Sequence, residues 1–226
     1  MWGVVLATVT LASAHPRIVM HGPRDRPRVA LTFDVCPTRP PVELDERIVA
    51  ALLAAHAPAT FFVSGRWATT LPDVVRRLAA EPLFEIGNHT FHHPHLTKEP
   101  DDEVRHELVA TQDLLHALSG RTPRWFRPPF GEVDERVAGV AAEVGLGTVQ
   151  FDVASGDPAS GVTADALVRS VLERAKAGSI IVMHANHRRF PTAVALPGII
   201  AGLRARGWEL VTVSDLVGLP AVEPAP

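Results

Sequence analysis

The sequence predicts an α/β domain built on parallel strands and closed toward a barrel, and two observations carry this. Short β-branched and aromatic runs alternate with amphipathic helical stretches from residue 28 to residue 218, an order that calls for parallel pairing. The reactive residues Asp34, His89, Arg127, Asp152 or Asp157, and His184 fall at the C-terminal ends of successive runs. In a barrel those ends converge on one mouth, whereas an open sheet gathers only the residues beside its crevice. With 226 residues, 46% of them hydrophobic, the chain has material for one sizeable core.

Each element has its own signal. RVALTFDVC (28–36) is β-branched and aromatic, and LDERIVAALLAAH (44–56) repeats apolar residues at helical spacing. ATFFVSG (59–65) reads as a buried strand, and PDVVRRLAAE (72–81) begins with a proline suited to a first helical turn. LFEIGNH (83–89) precedes a long helix over 100–120, with acids in its first turn and Gly120 at its end. RWFRPPFG (124–131) leads into a helix over 134–145, and GTVQFDVASGD (147–157) into one over 163–178. SIIVMHAN (179–186) leads into 193–207, where Pro197 should kink the helix or mark its first turn. WELVTVSDLVG (208–218) closes the series as a seventh strand-like run.

The expected organisation is a short leader over 1–14, a catalytic domain over 15–218 and a loose Pro/Ala-rich tail over 219–226. Residues 1–14 are apolar and end Ala12-Ser13-Ala14, like a cleavage site, but no Lys or Arg precedes them. A periplasmic or secreted protein and a cytoplasmic one with a mis-assigned start both fit that stretch. Several classes drop out. The net charge of -3, from 22 basic and 25 acidic residues, provides no footprint for nucleic acid. Beyond the leader no run reaches the roughly 20 apolar residues of a transmembrane segment. No G-x-G-x-x-G follows the first strand, which removes the dinucleotide-binding reading. Cys36 is the one cysteine, so no internal disulfide forms.

The chemistry concentrates in FEIGNHTFHHPHL (84–96), where four of the 11 histidines crowd into seven positions. His89 and His93 are four apart; in a helical turn both imidazoles would face one side and share a cation. Neutral imidazole suits zinc and its first-row neighbours. A catalytic zinc usually takes three protein ligands and keeps one position open. His92 and His95 read as flanking groups. Asn88 and Asn186, beside the two histidine-bearing strand ends, are candidate donors that orient the ligands.

Five stretches, TFDVC (32–36), HTFHH (89–93), RPPFG (127–131), DVASGDP (152–158) and IVMH (181–184), occur in order over most of the chain. Together they resemble the motifs of the NodB-homology polysaccharide deacetylases, carbohydrate esterase family 4. The resemblance implies a distorted (β/α)7 barrel that removes N-acetyl, sometimes O-acetyl, groups from chitin, peptidoglycan or related glycans. It implies His89 and His93 as ligands of a divalent metal ion, zinc first. Asp34 would be the general base and His184 the general acid. Arg127 would orient Asp34, Asp157 would tune His184 with Asp152 as the alternative, and the Phe130 backbone N–H would help hold the oxyanion.

Two departures qualify this. Where the family carries a second aspartate as third metal ligand, this chain has Val35, followed by Cys36 in place of glycine. Three readings follow. Asp34 itself coordinates, Cys36 supplies the ligand, or two histidines and water hold the ion weakly or not at all. Strand alternation puts residues 34 and 36 on one face and 35 on the other, and thiolate binds zinc well. The bland reading of Cys36 is a small buried hydrophobe. The chain resembles a variant of the family with an apolar residue and cysteine in this motif. The second departure is Pro158, where the family often has a tryptophan lining the sugar groove. Trp67 and Trp125 either compensate or belong to the core.

The constellation suits amide hydrolysis. A bound divalent ion activates water and polarises the carbonyl; Asp34 takes the water's proton, and Arg127 can hold that carboxylate with a bidentate fork. His184, kept cationic by a neighbouring carboxylate, protonates the departing amine. The competing functions are a hydrolase of a small amide, imide or ureido compound, and a catalytically inactive glycan-binding barrel.

Overall fold

The computed structural model describes residues 18–40 and 42–218; the expected leader and tail lie outside them. The strands are β1 (Ile18–Val19), β2 (Arg28–Val35), β3 (Ala59–Val63), β4 (Phe84–Asn88), β5 (Trp125–Phe126), β6 (Gly147–Val149), β7 (Val153–Ala154), β8 (Ile180–His184) and β9 (Glu209–Val211). The helices are α1 (Glu46–Ala54), α2 (Gly65–Thr70), α3 (Pro72–Ala80), α4 (Asp101–Ser119), α5 (Glu135–Glu143), α6 (Ala164–Arg174), α7 (Thr192–Ala205) and α8 (Val213–Val217). All strand pairs are parallel, in the order β1-β6-β5-β4-β3-β2-β8-β7, with β9 beside the first residues of β2. The sheet is a curled half-barrel. Among the described residues β7 does not pair with β1 or β6, so the curl stays open at that seam.

β2 is the hub, with three neighbours, and its seven residues from Val29 onward are all buried. A strand covered on both faces reads as a continuous apolar run. Leu31, Phe33 and Val35 join Phe61, Val63, Ile181 and Met183 in the layer beneath α1, α6 and α7. Ala30 belongs to the interior cluster with Phe62, Trp125, Val149 and Ile180, which α8 plugs through Val213 and Leu216. Asp34 pairs in register with Phe62 on one side and His184 on the other, so motif residues distant in sequence become neighbours.

The expected helices form with ends set by their caps. Asp134 accepts from the Val137 amide at 2.8 Å and Thr163 from Ala166 at 3.2 Å, each satisfying an N–H that the first turn leaves over. Gly120 ends α4 with φ 68, a left-handed cap that suits glycine. Pro197 lies inside α7, which starts one residue earlier than expected.

Several elements differ from the sequence expectation, among them β1, which was not expected and pairs with β6. The run 147–157 divides into β6, which pairs with β5 and β1, and β7, which pairs with β8 across the seam. The run 208–218 is strand only to Val211. There Thr212 takes the cap position, accepting from the Asp215 amide at 3.2 Å while its hydroxyl donates to Asp215 Oδ2 at 2.8 Å, and the chain turns into α8. The short helix α2 had no periodicity to announce it.

Glu85 fastens α8 to the barrel. It accepts from the Ser214 hydroxyl, from the Ser214 amide at 3.2 Å and from Thr60 Oγ1 at 2.8 Å. Burial raises its pKa, against the hydrogen bonds from Ser214 and Thr60 that favour the charged form. The folded chain therefore keeps this proton to higher pH than the unfolded chain, and that contribution to stability is lost as pH rises through the raised value. Glu85→Gln, which cannot ionise, should gain stability relative to the parent as pH is raised from about 4 to about 7. Urea denaturation of both proteins across that range measures it, and a pH-independent difference would contradict the assignment.

Candidate active site

The mouth of the curl gathers Asp34, His89, Arg127, Asp157 and His184 from successive strand ends, together with Cys36 and His93. Cys36 follows β2 directly, and its Sγ lies 3.6 Å from His89 Nε2. Ligand atoms of Cys36, His89 and His93 all fall within 4.8 Å of one another, a group able to hold a metal ion. His89 Nδ1 donates to the Arg127 carbonyl at 2.8 Å, which turns Nε2 toward Cys36. Burial works against protonation of this ring, but the Asp34 charge and the Cys36 contact prevail and raise its pKa. Val35 points the other way, into the core, as strand alternation requires.

The two histidines do not share a helical turn. Residues 89–95 form an irregular loop in which Thr90 (φ 62) and His93 (φ 66) are left-handed. That reversal brings the imidazoles edge to face with centroids 4.9 Å apart. Such backbone is unfavourable for residues with a Cβ, so something must hold it. Asn88 Oδ1 accepts from the Thr90 amide at 2.9 Å, and Thr90 Oγ1 accepts from the His93 amide at 3.1 Å. Glu107, buried on α4, accepts from the amides of Phe91 and His92 at 2.8 and 2.7 Å and from His92 Nδ1 at 2.6 Å.

Arg127 is fully enclosed. Nη1 donates to Asp34 Oδ1 at 3.0 Å and to Thr32 Oγ1 at 2.7 Å, and Nη2 to the Gln150 carbonyl at 3.1 Å. The hold on Asp34 is thus through one nitrogen, not the bidentate fork expected, because the second nitrogen serves the Gln150 carbonyl just after β6. Burial opposes ionisation of Asp34, but the charges of Arg127, His89 and His184 outweigh it and keep its pKa below the usual carboxylate value.

On the other side, Asp157 receives His184 Nδ1 at 3.0 Å, the His184 amide at 2.7 Å, Thr192 Oγ1 at 2.7 Å and Ser155 Oγ at 3.0 Å. Burial works against protonation of His184. The hydrogen bonds with Asp157 and Cys36, and the Asp157 and Asp34 charges, prevail and push its pKa up to about 11. Burial also opposes the Cys36 thiolate, yet hydrogen bonds from His184, His89 and His93 hold the thiol well below its ordinary pKa.

The remaining candidates divide. Phe130 is left-handed at φ 60 and 57% exposed, stacked on His95 at 4.1 Å and edge-on to His93 at 4.6 Å. Its backbone N–H has no hydrogen-bond partner among the described residues. Asn186 Nδ2 donates to the Cys36 carbonyl at 2.5 Å, so it positions the cysteine segment rather than a histidine. Asn88 Nδ2 donates to the Leu108 carbonyl at 2.9 Å and holds the loop through backbone. Asp152 lies away from the mouth. It accepts from Arg24 at 2.7 Å, Ser179 Oγ at 2.9 Å and the Ile180 amide at 2.8 Å, at the start of β8. Trp67 and Trp125 are both buried, so neither replaces the sugar-lining tryptophan absent at Pro158.

Sequence reasoning missed Glu107, Thr192 and Ser155. A signal existed for Glu107: it shares the apolar face of α4 with Val104, Leu108, Thr111 and Leu115, where an acid needs a partner. Thr192 and Ser155 had none.

The chain is similar to known proteins over most of its length. The family model described as Polysaccharide deacetylase matches residues 21–149. A peptidoglycan-N-acetylglucosamine deacetylase of Bacillus cereus is 36% identical over 198 residues, covering 86% of this chain and 70% of the relative. The crystal structure of a peptidoglycan N-acetylglucosamine deacetylase is similar at a TM-score of 0.83 and 34% identity, over 91% of this chain and 95% of that one. A CE4 family pseudoenzyme from Bacillus anthracis is similar at 0.81 and 27% identity, over 89% and 69%.

Glu107→Ala should release the loop. The Phe91 and His92 amides then lose their buried acceptor, at a cost of roughly 1–3 kcal/mol. Hydrogen exchange at those two amides should accelerate relative to the parent. Unchanged protection would show that the loop is held by other contacts.

Proposed function

Since this chain belongs to the polysaccharide deacetylase family, we propose that it is a metal-dependent hydrolase of C–N bonds that removes N-acetyl groups from an acetylated glycan, peptidoglycan or a chitin-like oligosaccharide. One observation carries the reading: a sulfur and two imidazole donors converge between an Arg-held aspartate and an Asp-held histidine. The family name of the Bacillus cereus relative supports the same chemistry.

The donor set fits a divalent ion. His89 is oriented by its Nδ1 bond so that Nε2, once deprotonated, can coordinate, the Cys36 thiol is poised to lose its proton, and His93 completes three ligands. Thiolate and imidazole together favour zinc, and three protein ligands leave an open position. When bound, the ion supplies Lewis acidity toward water and the acetamide carbonyl. Asp34, held ionised by Arg127, accepts the water's proton through Oδ2, which has no protein partner among the described residues. His184 donates from Nε2 to the departing amine, because Asp157 occupies Nδ1 and favours the imidazolium. The Phe130 N–H offers a hydrogen bond to the oxyanion. A peptidoglycan substrate lies in the cell envelope, which supports export by way of residues 1–14.

A non-catalytic glycan-binding barrel is the competing reading, favoured by Val35 and by the likeness to a pseudoenzyme. Acetate release from acetylated chitooligosaccharide or peptidoglycan fragments decides between them. Chelation should abolish release and added zinc restore it. His89→Ala should lose both metal and activity, and Cys36→Ser should lower metal content. His184→Ala should keep its metal and slow turnover by roughly 10²–10⁴-fold, the usual worth of a general acid. No acetate from zinc-loaded protein, with His89→Ala binding the glycan as well as the parent does, would hand the case to the binding barrel.

A further inference from the structure

The mouth has two unlike walls. On one, Phe130 stacks on His95, whose Nδ1 donates to Glu132 Oε2 at 2.8 Å, so that wall ends in a carboxylate. On the other, residues 187–190 form a turn closed by the Phe190 amide on the His187 carbonyl at 3.0 Å. A four-residue turn brings its first and last members together and throws the middle pair outward. His187 and Phe190 accordingly pack ring to ring at 4.5 Å, and Phe190 meets His184 edge-on at 5.8 Å. Arg188 and Arg189 are the middle pair. Both are exposed, and neither side chain has a hydrogen bond or ion pair among the described residues.

The turn is held in place from its flanks and its backbone. Asn186 donates to the Cys36 carbonyl at 2.5 Å, Arg47 Nη2 to the Arg188 carbonyl at 3.0 Å, and Thr192 to Asp157 at 2.7 Å. The carboxylates that face it are Asp45, engaged by Arg47 at 2.7 Å, Asp157, committed to His184, and Glu43. Asp45 and Glu43 thus face three guanidinium groups, Arg47, Arg188 and Arg189, and the exposed turn is net positive.

We propose that the turn at 187–190 is a subsite for a carboxylate-bearing sugar adjacent to the one being deacetylated. Phe190 offers an apolar face to a pyranose ring, and Arg188 and Arg189 take the carboxylate. The subsite rests on the deacetylase reading and narrows it. The groove prefers a glycan that carries an acid on the neighbouring sugar, as N-acetylmuramic acid bearing no stem peptide does through its lactyl carboxylate, over neutral chitin-like chains. It also sets direction: the acidic sugar lies on the His184 side, away from Glu132.

The test compares two tetrasaccharides, neutral chitotetraose and one alternating N-acetylglucosamine with N-acetylmuramic acid. Arg188→Gln/Arg189→Gln should lower kcat/KM on the muramyl substrate about fivefold, through KM, and leave chitotetraose within about twofold, the scale of two exposed ion pairs. Methyl-esterifying the lactyl carboxylate should reproduce the loss in the parent. Phe190→Ala should weaken both substrates. A double variant that keeps the parent's substrate ratio overturns the subsite, and leaves the deacetylase reading standing. If zinc-loaded parent releases acetate from neither, that reading fails instead. Calorimetric binding of the muramyl substrate then still decides, because equal affinity of parent and double variant rejects the subsite.

Discussion

The Arg127 guanidinium is completely enclosed, and stripping water from a cation costs several kcal/mol unless charge and hydrogen bonds replace it. The barrel is organised around that replacement. Asp34 and Thr32 on β2 and the Gln150 carbonyl after β6 accept from its two terminal nitrogens, while Nε has no partner among the described residues. The Phe62 ring on β3 lies 4.1 Å beneath its charge. That ring has room because residue 87 on β4 is glycine; a Cβ there would come within 2.6 Å of it. Through its backbone the same residue accepts from His89 and donates to the Asn88 carbonyl at 2.9 Å. The Arg127 side chain and its peptide groups thus tie four strands to both Asp34 and His89.

Strain on the ligand loop is the complement of that rigidity. Thr90 and His93 occupy left-handed backbone, worth on the order of 1–3 kcal/mol each where nothing compensates. Asn88, Glu107 and the Thr90 hydroxyl over-determine the loop. The cost is met in folding, so the two imidazoles face each other before any ligand arrives. Binding then need not order the loop.

Charge is divided between two halves of the mouth. Arg127 keeps Asp34 ionised, Asp157 keeps His184 protonated, and Cys36 sits between them among imidazoles. Two groups with opposite proton affinities held a few side chains apart are what base and acid steps of one hydrolysis require. In the proposed ligand set a thiolate stands where the family carries a carboxylate, a softer donor that would leave Asp34 uncoordinated. Along β2 and just past it, Val35 turns into the core and Cys36 takes the face toward the mouth.

Much of this was legible in the order of residues. Alternating strand and helix patterns dictated parallel pairing, and motif residues at strand ends dictated a shared mouth, because backbone geometry makes both consequences nearly obligatory. The alternation of side chains along β2 likewise placed Cys36 and Asp34 together and Val35 apart. What the residue order could not convey was anything made by contacts across the fold. The left-handed turns at Thr90 and His93 depend on a carboxylate 14 to 17 positions away on α4. The seam between β6 and β7, the switch from strand to helix after Val211, and the retreat of Asp152 to the far end of β8 each follow from which neighbour captured a backbone group. Local patterns specify which elements exist and which face they bury. Hydrogen-bond partners separated by tens of residues decide how loops bend, and the loops hold the chemistry.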